Sequence, residues 1–405
     1  MSGTGSRKKG VPSIHARTVR RESEAIRDGS ARLSSQSHAP EEAQPRSCRL
    51  SFPRMSVDPS PLIPLSWRPQ EPLDAHGLRA ALAPVLSTLT SRGLAPVHIR
   101  LYAAPNAAAL AVAETQAVCG PRQPVVTVVT ANPCAGGEVA GAHVLAVRAD
   151  LPTQPIFDGA RRVGARIGST PPVVFLAGLT APHEGSAEDE FTALFEAAER
   201  LLSPFDMTFT DVARTWLHLP ELLRDYDALN AARGAFFTKR GIGSTVAPPA
   251  STGIQGGSRD SARLQIDLVA TAPSAFRPVV ATLQCEAWDY GSAFSRGMAL
   301  GSNLVTISGT ASIDADGSTI HLDDPAQQIR ATWSTVRDLL QAESLRFPSS
   351  GSQAWVLYFK TPSVWHAWRE LVDSGEVVEP DYAVCVYADV CRDNLLFEME
   401  LTAGR

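Results

Sequence analysis

The chain has no stretch near the roughly 20 consecutive apolar residues that a bilayer-spanning helix requires. Even its apolar regions around Val125 and Ala142 are broken by Pro, Gly, Asn or charge. A transmembrane segment is therefore not expected, and the chain reads as soluble and cytoplasmic. It also lacks the cysteine spacing of a disulfide scaffold or zinc site. Its six cysteines (Cys48, Cys119, Cys134, Cys285, Cys385 and Cys391) include no CxxC pair and meet no paired histidines. An excess of basic charge is missing too: the formal net charge is −5, which argues against a nucleic-acid surface. The glycines near Gly241 and Gly291 lack the strand–GxGxxG–helix context of a dinucleotide site. No metal or cofactor is expected.

What remains is ordinary globular material, 405 residues with 44% hydrophobic side chains, enough for two or three cores. Residues 1–54 stand apart, with eleven basic and five acidic side chains and few apolar ones. Such a segment cannot bury enough surface to offset its ordering entropy, and it has no apolar core of a secretory signal. It reads as a disordered extension, with Met55 as the true start. Residues 55–150 read as an accessory α+β block. A helix is expected over Leu78 to Ser91 and strands near Val97 to Tyr102, Pro124 to Thr130 and His143 to Val147.

Two later segments, 151–275 and 276–405, share one plan. The first reads strand (Val173 to Gly178), helix (Phe191 to Leu202), strand (Asp211 to Leu219), helix (Tyr226 to Phe237) and strand (Arg263 to Thr271). The second repeats it over Leu304 to Gly309, Gln327 to Leu340, Gln353 to Lys360, Val364 to Leu371 and Leu395 to Ala403. A glycine ends each first strand, and the strings QIDLVA and EMELTA close the two copies, which suggests duplication. Each unit is expected to open with a hairpin, as in ISGTASIDADGSTIHL with its Asp316-Gly317 turn. Hairpin plus two helices per unit predicts an α+β fold with helices on one face of each sheet.

That hairpin, the helix and strand after it and the closing EMEL strand resemble the RidA/YjgF-like (chorismate-mutase-like) fold. Within it, RTWLHL, PASTGI, WDYGSAFSR and ADVCRDNLLFEME resemble the chorismatase family; these strings run from about Arg214 to the C-terminus. The resemblance implies two consecutive RidA-like units, the second carrying the catalytic residues. It also implies an enzyme that takes chorismate, a small molecule, and releases pyruvate. The ring product would be 3-hydroxybenzoate, with 4-hydroxybenzoate as a second product, or a dihydrodiol. No other partner is implied, and duplication within one chain is compatible with a monomer.

Cleaving the enol ether of chorismate starts most easily by protonating its vinyl carbon, so an acid and cationic clamps are needed. Strand alternation puts Glu398 on one face with Leu396 and Glu400, and apolar neighbours would raise its pKa toward working pH. For an arbitrary Glu a solvated strand face is the commoner fate, but the resemblance gives Glu398 the acid/base role. The first copy has Gln265 there, which locates the site in the second copy. Glu400 is assigned no chemistry. Cys391, seven residues before Glu398, would by default be a small buried side chain. Chorismatases with cysteine at the matching position resemble hydroxybenzoate formers, which makes it a candidate nucleophile or proton donor. Cys385 reads as core.

Arg296 and Arg233 are the candidates for gripping carboxylates, and Tyr226 and Tyr290 for bonding a carboxylate or hydroxyl. Ser251 and Gly253, flanking Thr252, would offer backbone N–H groups to an anion if not simply a loop. Lys360 is a weaker candidate, and His218, His321 and His366 read as structural. Deaminases of the wider group hold their substrate carboxylate with an arginine upstream of the final-strand glutamate, where this chain has Tyr382 and Ala383. Imine hydrolysis thus loses its anchor.

Overall fold

A computed structural model describes residues 61–404 except 121–123, 259, 281–282, 285, 291 and 346–351; the side chains of 289 and 290 are also outside it. The expectations for residues 1–54, Met55, Cys48 and Cys285 therefore lie outside the described residues.

The first block runs β1 (Ile63–Trp67), α1 (Leu78–Ser91), β2 (Leu94–Ala103), α2 (Ala108–Cys119), β3 (Val125–Thr130), β4 (Asn132–Pro133) and β5 (Val139–Arg148). The second runs β6 (Thr153–Asp158), β7 (Arg161–Ile167), β8 (Val173–Leu179), α3 (Ala187–Leu202), β9 (Val212–Leu219), α4 (Leu222–Thr238), β10 (Ala250–Gln255) and β11 (Gln265–Thr271). The third runs β12 (Phe276–Pro278), β13 (Gly297–Leu300), β14 (Leu304–Ala311), α5 (Pro325–Ala342), β15 (Gln353–Phe359), α6 (Pro362–Asp373), β16 (Val384–Tyr387) and β17 (Phe397–Gly404).

Written by strand neighbours, the three sheets contain β1-β5-β2-β3, β8-β11-β9-β10 and β14-β17-β15-β16. In each quartet the first two pairings are antiparallel and the last is parallel. The first block, expected to be an accessory layer, is thus a third copy of the same core. Registers identify equivalent positions: Gly141 pairs with Tyr102, Gln265 with His218 and Glu398 with Tyr358.

Apolar alternation explains how each unit closes. Ser186 and Asp189 form a capping box that starts α3, and Phe191, Leu194, Phe195, Ala198 and Leu202 then fall on one buried face. That face meets Phe236 and Phe237 of α4, with the Phe195 and Phe236 rings 5.3 Å apart. In the third unit Trp333 of α5 and Trp368 of α6 close on Phe359 and Phe397 in the same way. Each helical layer lies outside its sheet, and the opposite sheet faces point inward. There β3 packs on β8, β10 on β14 and β1 on β15, closing a ring of three units. Tyr102, Ile254 and Val356, one from each unit, share one inner cluster.

Two local expectations change. The hairpin of ISGTASIDADGSTIHL contracts to one bridge, Ile313 to Thr319. The Asp314 carboxylate accepts from the N–H groups of Asp316 and Ser318, and so closes the loop on itself. The opening hairpins are instead β6–β7 and β12–β13. Ser251 to Gly253 is not a loop but the centre of β10. Among the described residues no helix is long and apolar enough to cross a membrane.

Candidate active site

Between β9 and β10 of the second unit and β14, β15 and β17 of the third lies a buried polar cluster. Inward alternation along RTWLHL delivers Arg214, Trp216 and His218, and along the closing strand it delivers Glu398 and Glu400. Glu400 accepts from Arg214 Nη2 at 2.6 Å, from Thr252 Oγ1 at 2.6 Å and from Tyr358 Oη at 2.9 Å. Thr252 Oγ1 also accepts from Arg214 Nη2 and from the Gly309 N–H at 2.9 Å. Glu400, assigned no chemistry from sequence, is the hub of the network. Arg214, Tyr358 and Gly309 had no site role in the sequence, and Thr252 only that of a backbone N–H in the Ser251-Thr252-Gly253 cluster; the alternation of RTWLHL is the signal that could have found Arg214.

Glu398 shares this face and is 4% exposed, so the solvated reading does not describe it. Burial raises its carboxyl from the ordinary 4.5 to about 8; the Glu400 charge adds to the rise, while Arg214 and Arg296 oppose it. The carboxyl lies over Gly309, where a Cβ would sit 2.0 Å from Glu398 Oε1. The register of β14 against β17 shifts between Ile307 and Thr310, so the bulge falls at that glycine.

The remaining expected residues divide. Cys391 is in the cluster: burial pushes its thiol up to about 12, with Glu398 adding, and Tyr226 makes a hydrogen-bonding contact to it. At neutral pH burial favours the thiol over the thiolate. Tyr226 on α4 is raised chiefly by burial and feels Cys391, Arg233 and Glu398, so it stands where the second and third units meet. Gly253 lies beneath it, since an added Cβ would rest 3.8 Å from Tyr226 Cε2. Arg233 is buried, its Nη2 donating to Asn230 Oδ1 at 2.7 Å. Arg296 is buried too, 5.6 Å above the Phe294 ring, and its backbone oxygen accepts from the Ser308 N–H.

Ser251 does not present its N–H to an anion, because that group donates to Ser308 Oγ at 2.8 Å, and its hydroxyl accepts from Thr215. It ties β10 to β14, while its neighbour Thr252 faces the cluster. Lys360 is held by Asp393 and Asp389 at the surface. The side chain of Tyr290 lies outside the described residues. Cys385 is buried, with its thiol raised by burial to about 12. His218 is fully buried, and burial lowers its pKa to about 3. Among the described residues no group of three or more His, Cys, Asp or Glu side chains could hold a metal ion.

A second charged set backs this one. Asp267, which aligns with Glu400 in the QIDLVA/EMELTA pair, accepts from Arg100 at 2.6 Å and from the Gly178 N–H at 2.6 Å. The guanidinium carbons of Arg100 and Arg214 lie 4.4 and 4.5 Å from the Trp216 ring centroid. Each of these arginines is matched by one carboxylate. Glu398 is the additional acid, and burial favours its protonated form.

No protein-family model matches the chain, and none of the curated proteins compared with it does. Among solved structures, a chorismatase aligns with a TM-score of 0.60 at 15% identity, covering 86% of this chain and 100% of that one. The YjgF gene product from E. coli aligns at 19% identity, covering 32% of this chain and 98% of that one, with a TM-score of 0.25. A member of the YjgF protein family from Neisseria meningitidis aligns at 17% identity, covering 30% and 94%, with a TM-score of 0.24. The chain has the fold of a chorismatase across most of its length, an α+β fold of repeated units.

Proposed function

We propose that the protein cleaves chorismate, releasing pyruvate, with Glu398 as the acid that protonates the enol ether. The observation that carries this reading is a buried carboxyl held near 8 on the closing strand of a chorismatase-like fold. A carboxylic acid that is protonated at neutral pH and sits beside cations can deliver H⁺ to the vinyl carbon. The side chain then becomes an oxocarbenium ion, stabilised by the carboxylate left on Glu398. Arg296 and Arg233 would take the two substrate carboxylates, with Tyr226 alongside. Arg214 and Glu400 set the charge around the acid.

Two fates of the oxocarbenium conserve atoms. Addition of water and collapse of the hemiketal give pyruvate and a dihydroxycyclohexadienoate. Net loss of pyruvate with ring aromatisation gives a hydroxybenzoate and needs no water overall. The thiol of Cys391, near enough to Glu398 that a charge there disfavours its ionisation, favours the second fate with 3-hydroxybenzoate as product. Three units in one chain already provide inter-unit sites, which fits a monomer. The test is incubation with chorismate, following pyruvate with a lactate dehydrogenase and NADH while the ring product is identified by mass and chromatography. No pyruvate above the uncatalysed rate would end the proposal. Pyruvate with a dihydrodiol would keep Glu398 and remove the aromatising role of Cys391.

A further inference from the structure

The chain itself joins the first block to the second unit and the second unit to the third. The remaining seam, between the first block and the third unit, is closed by packing alone: β1 lies on β15, and β4 adds to the edge of the third sheet beside β16. Two cysteines meet there. In the antiparallel pairing of β4 with β16, Asn132 stands opposite Tyr387 and Pro133 opposite Val386. Continuing that register by one residue sets Cys134 opposite Cys385. The Cys134 N–H donates to the Cys385 carbonyl at 3.2 Å, as expected of direct cross-strand partners. The side chains of such a pair leave the same face of the sheet, with Cα atoms about 4.5–5.5 Å apart. A disulfide spans about 4.4–6.8 Å between Cα atoms, so the backbone pairing already suits one.

Both thiols are free and lie in one buried apolar cluster. Burial raises the Cys134 thiol, and charge on Cys385 adds to the rise, so the two sulfurs are near enough to sense each other. Burial also raises Cys385, to about 12, while Arg68 pulls the other way. Arg68 Nη1 stands 3.9 Å from Cys385 Sγ and 2.9 Å from Glu379. A guanidinium beside a sulfur favours thiolate, the form that attacks a disulfide. Cys385 is thus suited to attack and Cys134 to resolve. Access comes from the edge, because β4 is two residues long and Cys134 begins the turn after it. Short edge elements open locally at low cost.

We propose that Cys134 and Cys385 form a reversible redox pair whose oxidation staples the first block to the third unit. The oxidant is a low-molecular-weight disulfide. The Cys385 thiolate attacks it, forming a mixed disulfide and expelling one thiolate, which takes up the proton that Cys385 lost. The Cys134 sulfur then displaces the second small thiol in the same way. In all, two protein thiols give up two electrons and two protons, and the oxidant becomes two thiols. The inference does not depend on the reading of the catalytic site.

The experiment incubates the full chain with oxidised glutathione, alkylates it and maps its peptides by mass spectrometry without reduction. Wild type, Cys134→Ala and Cys385→Ala are compared, with circular dichroism and Tm recorded for each. Wild type should show one intramolecular link, joining the Cys134 and Cys385 peptides. A crosslink between residues far apart in sequence restricts the unfolded chain most, so Tm should rise by about 2 °C or more, and dithiothreitol should reverse it. Neither variant should show the link or the rise, and Cys134→Ala should stop at a glutathione adduct on Cys385. The wild-type map decides the matter even if a variant fails to fold. A link through any other cysteine, glutathione adducts without a link, or no oxidation even in sub-denaturing urea would overturn the proposal. A linked protein whose Tm is unchanged or lower would overturn the stapling role.

Discussion

The carboxyl of Glu398 rests on the bare Cα of Gly309, on the neighbouring strand, with no space for a methyl group between them. Gly309→Ala should therefore displace the acid from its position. Turnover should fall by tenfold or more, while Tm changes little if the carboxyl swings aside. Steady-state kinetics beside thermal melts check this, and unchanged kcat would show that the carboxyl position is not critical.

Glu398→Gln keeps shape and burial but cannot donate a proton to carbon. Turnover of chorismate should drop by about 10²–10⁴-fold with the fold intact. Full activity in a folded variant would remove Glu398 from the chemistry.

The raised Glu398 pKa fixes the sign of two pH effects. Because the acid form is required, kcat/KM should be level below the folded pKa of about 8 and decline above it. Glu400→Gln removes a charge that raises this pKa and unmasks Arg214, which lowers it. Both changes move the decline to lower pH. For stability, the group binds its proton more tightly folded than unfolded. Its contribution is full below the ordinary 4.5 and is lost as pH rises through about 8. Denaturant titrations at about pH 5 and about pH 9 should show wild type losing stability over that window by more than Glu398→Gln does.

Cys391→Ala removes the neutral thiol beside Tyr226. The product should shift from hydroxybenzoate toward the dihydrodiol or an isomer, read by chromatography. An unaltered product profile would reduce Cys391 to packing.

Thr252→Val keeps volume but leaves the Gly309 N–H unmet and deprives Glu400 of a donor. A stability loss of about 1–3 kcal/mol is expected, measured by urea unfolding. A smaller change would mean that relaxation or water replaces the hydroxyl.

Long amphipathic elements were legible in the sequence. The helix over Leu78–Ser91 matches at both ends, and the strand–helix–strand order of the last two units matches with end shifts of a few residues. Several elements were not expected, among them α2 and β10, for different reasons. The α2 helix is Ala-rich and carries no apolar stripe, and β10 has the turn-like string ASTGIQ, made a strand by pairing with β9 and packing on β14. The first block hid its kinship because Gly141, Gln265 and Glu398 share a position but no chemistry. Among site residues, period-2 alternation placed Glu398 correctly on its face. It could not rank Glu400, whose partners Arg214 and Thr252 come from another unit.

In an assembly of three identical subunits, every substitution is made three times over. Fusing three copies into one polypeptide frees each seam to diverge alone. One seam here carries a carboxyl, and another has an amide at the equivalent position. A designer can therefore alter the Gln265 seam, or graft a new specificity there, while leaving the Glu398 seam untouched.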